Sequence, residues 1–134
     1  MYVVVRRSLR VPFFETFNTA DPATSCVRRD TTVVSPQALT LLNGEVTGTQ
    51  ARAFAGRLLR ECGENPQELV ARAWLLAFGR NVDDAEQQRA MMFLASREKN
   101  LISRNSSDLV QPLGAPQNVG RRTLRAALVE LCLA

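Results

Sequence analysis

Histidine is absent from this sequence. With it go the commonest general base near neutral pH, the serine and cysteine triads that depend on an imidazole, and most catalytic zinc sites. Cysteine is scarce: Cys26, Cys62 and Cys132 show neither C-x-x-C spacing nor the C-x-x-C-H run that attaches haem. An odd, sparse set makes no disulfide framework, and at most one pair could form. Metal and haem chemistry inside this stretch is therefore not expected. No apolar run is long enough to read as a membrane span. The opening MYVVVRRSLR puts its charges after its apolar residues and lacks a small-residue cleavage site, so it does not read as a signal peptide. No period of a repeat architecture is sustained.

What is present is ordinary for a globular chain. A length of 134 residues, 46% hydrophobic and 22% charged, predicts one domain with a real core. The net charge is +4, and of the seventeen positive residues only Lys99 is not arginine. Such a balance fits an anion-binding or nucleic-acid surface. However, a GC-rich coding sequence favours arginine in the same way, and most arginines here fall at helical spacing beside apolar stripes. Solvated helix faces explain them better, and nucleic acid is not expected as a partner.

Punctuation and periodicity predict about five helices. Residues 2–5 are too short an apolar run to decide between strand and helix, and Pro12 is expected to stop any helix near it. Residues 13–32 carry Asn18, Asp21, Pro22 and several Ser or Thr, which favour turns. A loop of this length inside a compact domain is usually functional or held from outside. Phe13, Phe14 and Phe17 share the spacing of one face and would anchor it. Ser35-Pro36 is a strong helix start, closed by Asn43-Gly44. From about 49 to 62, Ala51, Phe54, Ala55, Leu58, Leu59 and Cys62 recur at i, i+3, i+4, i+7, i+8 and i+11.

Asn65-Pro66 with Glu68 forms the next start, read as a capping box. Its buried stripe is Leu69, Val70, Ala73, Trp74 and Ala77, and Gly79 ends it. Asp83 with Glu86 repeats the capping pattern for a longer helix to about residue 102. Its apolar positions are Ala90, Met91, Phe93, Leu94, Leu101 and Ile102. Residues 103–120 read as a loop of low order, in which Asn105-Ser106-Ser107 matches a glycosylation pattern better explained as polar loop. A last helix begins near Arg121. It carries Leu124, Ala127, Leu128 and Leu131 on one face, with Ala126, Val129 and Leu133 on a second. The pattern stops at Ala134 without a cap, which predicts a truncated domain whose apolar ends self-associate.

The groups able to carry chemistry are few. Arginines cluster at Arg6, Arg7 and Arg10, at Arg28 and Arg29, and at Arg121, Arg122 and Arg125. Guanidinium groups suit bidentate binding of carboxylate or phosphate, and equally the tying of a loop to nearby acids. For Arg28 and Arg29 the local acids Glu15, Asp21 and Asp30 favour the structural role. Arg6, Arg7, Arg28 and Arg29 are the candidates for binding an anion or a partner. Cys26, beside arginines that could lower its pKa, is the candidate reactive thiol, although a packed cysteine is the simpler reading. Cys62 and Cys132 lie on apolar faces and belong to the core. Asp83, Asp84 and Glu86 are explained by capping and the helix dipole, and Glu61 and Glu64 are expected to be solvated. The separated glycines Gly44, Gly48, Gly56 and Gly63 cradle no phosphate. No catalytic residue and no metal site emerges.

One stretch looks like a known signature. Arg6-Arg7-Ser8-Leu9, Phe17-Asn18, Cys26 with Arg28 or Arg29, and Pro36-Gln37-Ala38-Leu39 with Leu42-Asn43 resemble the core of the bacterial domain-of-unknown-function family numbered 1553, also called planctomycete-specific domain one. A second block, ARAWLLAFGRNVDDAEQQRAMMFL, is similar to that family's A-x-x-x-A-x-GR-x-P-x-x-x-E stretch. Here Asn18 stands where the family usually has Asp, and Asn81-Val82 replaces its proline pair. The resemblance covers essentially the whole chain and places it in the C-terminal part of the family domain, short of an Asn-x-x-Glu-Phe-type ending.

The resemblance implies an exported or periplasmic multidomain parent. Such parents often carry a cytochrome-c-like domain, which would hold haem, and another uncharacterised domain upstream, sometimes with carbohydrate-binding modules. It transfers no catalytic residue. The expectation is an all-α, irregular bundle of about five helices over residues 1–134, with the long N-terminal loop packed across it. Its function would be that of an accessory or interaction module whose partners are upstream domains of the same parent. The alternative is part of a hydrolase or redox enzyme completed by those domains, with Arg6, Arg28 and Arg29 binding an anionic group.

Overall fold

The computed structural model describes residues 12–17, 28, 35–103, 108–115 and 121–134. The described residues form helices and connections without a strand, so the fold is all-α as expected. The chain divides into two compact units, Met1–Gly44 and Glu45–Ala134.

In the first unit, α1 spans Pro12–Thr16 and α2 spans Ser35–Asn43. Pro12 was expected to stop a helix and instead begins one. A proline in the first turn loses nothing, because the N–H it lacks would have had no intrahelical partner. Phe14 and Phe17 are half-buried. Gln37 Nε2 donates to the Thr16 carbonyl at 3.0 Å and ties α2 to α1. The rest of the predicted loop lies outside the described residues.

The second unit contains α3 (Glu45–Cys62), α4 (Pro66–Phe78), α5 (Asp84–Ile102) and α6 (Arg122–Leu133). Helix α3 begins directly after Gly44, one turn earlier than the apolar stripe indicates, with Glu45 and Val46 exposed and no residue of this first turn buried. Asn65 caps α4 by accepting from the Gln67 N–H at 3.1 Å. Glu68 accepts from the Asn65 side-chain amide at 2.8 Å, so the reciprocal bond to the cap's backbone that defines a capping box is replaced by a side-chain bond. At α5 the full box forms: the Glu86 N–H donates to Asp83 Oδ1 at 2.6 Å, and the Asp83 N–H donates to Glu86 Oε2 at 3.2 Å.

These four helices form a ring of neighbours, α3 against α4, α4 against α5, α5 against α6, and α6 back against α3. Helix α6 closes it because both of its faces are apolar. Leu128 and Val129 join Ala51, Ala55, Leu58, Leu59, Leu69 and Ala73 in one buried cluster. Ala126 and Ala127 join Val70, Ala90, Leu94 and Leu101 in a second. Trp74 and Leu131 pack against both. The expected exposure of the C-terminal apolar face is thus corrected: Leu131, Cys132 and Leu133 rest on the first cluster.

Other departures have simple causes. Ala77 and Ile102 are exposed, because each sits at the last turn of its helix, where the neighbouring helix no longer covers the stripe. Residues 108–115 are not a low-order loop. Leu109 is buried in the second cluster, and the Leu113 N–H donates to the Arg52 carbonyl at 3.0 Å. Asn105-Ser106-Ser107 lies outside the described residues.

Leu128 is fully buried, whereas Leu42 on α2 is 52% exposed. Leu128→Ala should cost about 2–5 kcal/mol in a urea titration, from lost transfer energy plus a cavity. Leu42→Ala should change stability by less than about 0.5 kcal/mol.

Candidate functional site

Of the candidates for anion or partner binding, Arg28 is described and exposed. Arg6, Arg7, Arg29 and the thiol candidate Cys26 lie outside the described residues. The remaining arginines show what this side chain does in the second unit, where many of them tie helices together.

Glu61, at the end of α3, takes Arg57 Nε on one oxygen at 2.7 Å and Arg72 Nε of α4 on the other at 2.6 Å. Both hydrogen bonds, Arg57's first, lower the Glu61 pKa. Glu64 in the α3–α4 turn accepts from Arg125 Nε of α6 at 2.7 Å, and the Arg125 residue is 8% exposed. A longer contact, 3.5 Å, brings the Arg121 N–H to the other Glu64 oxygen. The carboxylate thereby stands at the amino end of α6, whose own residue Arg121 supplies no side-chain cap. Glu61 is exposed, as expected of a solvated acid, and Glu64 is half-buried; each also lies within reach of a guanidinium group from a neighbouring helix.

Between α5 and α6, Glu98 takes Arg121 Nη2 at 2.9 Å and the Thr123 hydroxyl at 3.2 Å. Arg97 and Glu130 pair directly, which raises the Arg97 pKa further. The cluster Arg121, Arg122 and Arg125 is accordingly split: Arg121 and Arg125 go to different acids, and Arg122 is exposed.

The corner between α4 and α5 gathers the residues of the GR-x-P-x-x-x-E block. Gly79 ends α4 at φ +69°, a left-handed conformation that a side chain would strain, and its N–H reaches the Leu75 carbonyl. The turn delivers Arg80 to Glu86 as a fork: Nη1 to Oε2 at 2.8 Å and Nη2 to Oε1 at 2.6 Å. Arg80 also lies 5.8 Å from the Phe78 ring centre, and Phe78 meets Trp74 at 5.7 Å in a tilted pair. Hydrogen bonds from Arg80 first, then from the Asp83 backbone, hold the Glu86 pKa at about 2. Trp74 Nε1 is buried without a hydrogen bond of ordinary geometry, although its indole adds the weakest of the lowering influences on Glu86. Asp83 and Glu86 are thus engaged in capping and pairing, as the spacing predicts.

Both described cysteines are free thiols packed against the first cluster. Burial pushes the Cys132 thiol up to about 12 and raises that of Cys62. Among the described residues, no group of three or more Cys, Asp or Glu is placed to hold a metal ion. No described helix is long and apolar enough to cross a membrane. Sequence reading missed a set of exposed apolar side chains, among them Leu39, Leu41, Leu42, Phe78 and Met92. Periodicity assigns such residues to a core by default and carries no signal for which stripe remains uncovered.

Three measurements check these assignments. Glu64→Ala should destabilise the chain by about 2–3 kcal/mol in a urea titration, because it leaves a nearly buried guanidinium without this partner. A carboxylate whose pKa is depressed on folding contributes stability that is present above its unfolded value and lost as pH falls through the folded one. For Glu86 that window runs from 4.5 down to about 2; in Glu86→Gln the acid dependence of stability should flatten there. In the native protein at mildly alkaline pH, a maleimide should label Cys62 faster than Cys132.

No curated protein and no solved structure matches this chain. One family model matches, described as a protein of unknown function (DUF1553), PSD1, over residues 1–94. That is a shorter stretch than the expected near-complete coverage. It contains both signature blocks and the Arg80–Glu86 corner, and on that match this chain belongs to the DUF1553 family.

Proposed function

We propose that this chain is an accessory or interaction module of a larger exported, cytochrome-c-associated protein, and that it acts by docking other domains of that parent. The observation that carries this reading is α2. None of its residues is buried, yet Leu39, Leu41 and Leu42 are 57%, 44% and 52% exposed. A helix of nine residues is shorter than the ~12–15 that stand alone in water. It is held by its own bonds, Thr40 Oγ1 to the Pro36 carbonyl at 2.7 Å and Asn43 Nδ2 to the Leu39 carbonyl at 3.2 Å, and by the Gln37 tie to α1. A short, tethered helix that presents leucines outward suits a surface that another domain covers.

In this reading Arg28, with Arg6, Arg7 and Arg29, contributes charge to the docking surface, and haem belongs to an upstream domain of the parent. The sequence of the signature supports the same placement, because Pro36-Gln37-Ala38-Leu39 and Leu42-Asn43 are its closing part and fall on α2.

The gene on both sides of this segment tests the parentage. An upstream C-x-x-C-H and a secretory leader are expected, and a complete reading frame with neither overturns it. Within the parent, Leu39→Asp combined with Leu42→Asp should increase protease sensitivity at the junction before this segment. It should leave the unfolding of the segment's own second unit unchanged. Unaltered sensitivity would remove α2 as the docking face.

A further inference from the structure

Residues 108–115 lie along one row of α3 formed by Arg52, Gly56 and Arg60, which are spaced by four and so share a face. Arg52 brackets the segment twice. Its Nε donates to the Gln111 carbonyl at 2.9 Å, and its own carbonyl accepts the Leu113 N–H at 3.0 Å. Arg60 Nη1 donates to the Gly114 carbonyl at 2.7 Å. Between the two arginines the segment touches bare helix: a Cβ built at Gly56 would lie 1.8 Å from the Leu113 carbonyl oxygen. That oxygen belongs to the backbone, so no rotamer could relieve the clash.

The bonds from α3 to this segment are made to its backbone. Leu109 is its buried residue, while Val110 and Leu113 are 55% and 38% exposed. Ala115 is half-buried against the first cluster. One further bond, Gln111 Nε2 to the Arg122 carbonyl at 3.3 Å, reaches α6. With one buried residue, Leu109, and the bonds named to α3 and α6, the segment has fewer anchors than the four helices and sits below them in the local stability range.

We propose that residues 108–115 are a reversible strap on α3, seated by Gly56 and latched by Arg52 and Arg60, which opens as a unit while the four helices stay folded. Opening uncovers the Arg52–Gly56–Arg60 row: two guanidinium groups on either side of bare helix backbone, a surface that grips the carbonyls of a non-helical segment. The strap is its occupant in cis.

Hydrogen exchange followed by mass spectrometry on the whole chain tests this. Gly56→Ala places a better helix former in α3, so a purely local helix effect would slow exchange there. The strap predicts instead that amides of 109–115 exchange faster by about tenfold or more, with α4, α5 and α6 unchanged. Loss of protection throughout α3–α6 together would show that the segment is an inseparable part of the core and overturn the proposal. Unchanged exchange at 109–115 would overturn it equally. Should Gly56→Ala fail to fold, Arg52→Ala combined with Arg60→Ala removes the two guanidinium latches without a clash and leaves the Arg52 carbonyl bond to the Leu113 N–H in place. It must give the same confined acceleration, and a global or absent change there refutes the strap.

Discussion

A helix that is apolar on two faces has to be covered on both, and α6 imposes that condition on everything around it. Leu124, Ala127 and Leu128 are essentially inaccessible, and Ala126 and Val129 nearly so. Two separate clusters meet α6, one built from α3 and α4 and the other from α4 and α5. Helix α4 supplies Leu69 and Ala73 to the first and Val70 to the second, so adjacent residues on one helix serve both sides. The ring of neighbours is a consequence of that arrangement.

Charge then fixes what apolar burial leaves undetermined. A guanidinium that meets a particular carboxylate adds a directional constraint to the close packing of the leucines. Glu61, Glu64 and Glu130 each receive an arginine from another helix, Glu98 receives Arg121 at the start of α6, and together these pairs span three of the four helix–helix boundaries. The fourth boundary, α4 to α5, is set by the Arg80–Glu86 fork beside its turn. Individually, exposed pairs contribute only about 0–1 kcal/mol. Their value here lies in register, and at Arg80 the planar fork, which lysine lacks, meets both Glu86 oxygens.

How much of this was legible depended on how local the cause was. Asn65-Pro66, Asp83 with Glu86, and Gly79 act within a turn of their own position, and the sequence states each of them outright. The stripe of α3 was legible for the same reason. The partners of Arg72, Arg121 and Arg125 were not, because a long side chain selects its acid through tertiary neighbours that no spacing encodes. Gly56 is the clearest example. Among scattered glycines it read as unremarkable, and only the position of the Leu113 carbonyl shows that the residue must lack a side chain. Leu109 was missed because a single buried residue inside a polar connection has no periodicity. Of the candidate site, Arg28 is exposed, and Arg6, Arg7, Cys26 and Arg29 lie outside the described residues.

The place of α6 in the chain has a consequence for synthesis. The stripes of α3, α4 and α5 leave the ribosome before the helix that covers them, and about 60 residues separate the end of α3 from the start of α6. At ~5–20 residues per second this is an interval of roughly 3–12 s. During it Leu58, Leu59, Leu69 and Leu94 have only one another for shelter. The nascent second unit thus carries uncovered apolar stripes until α6 emerges.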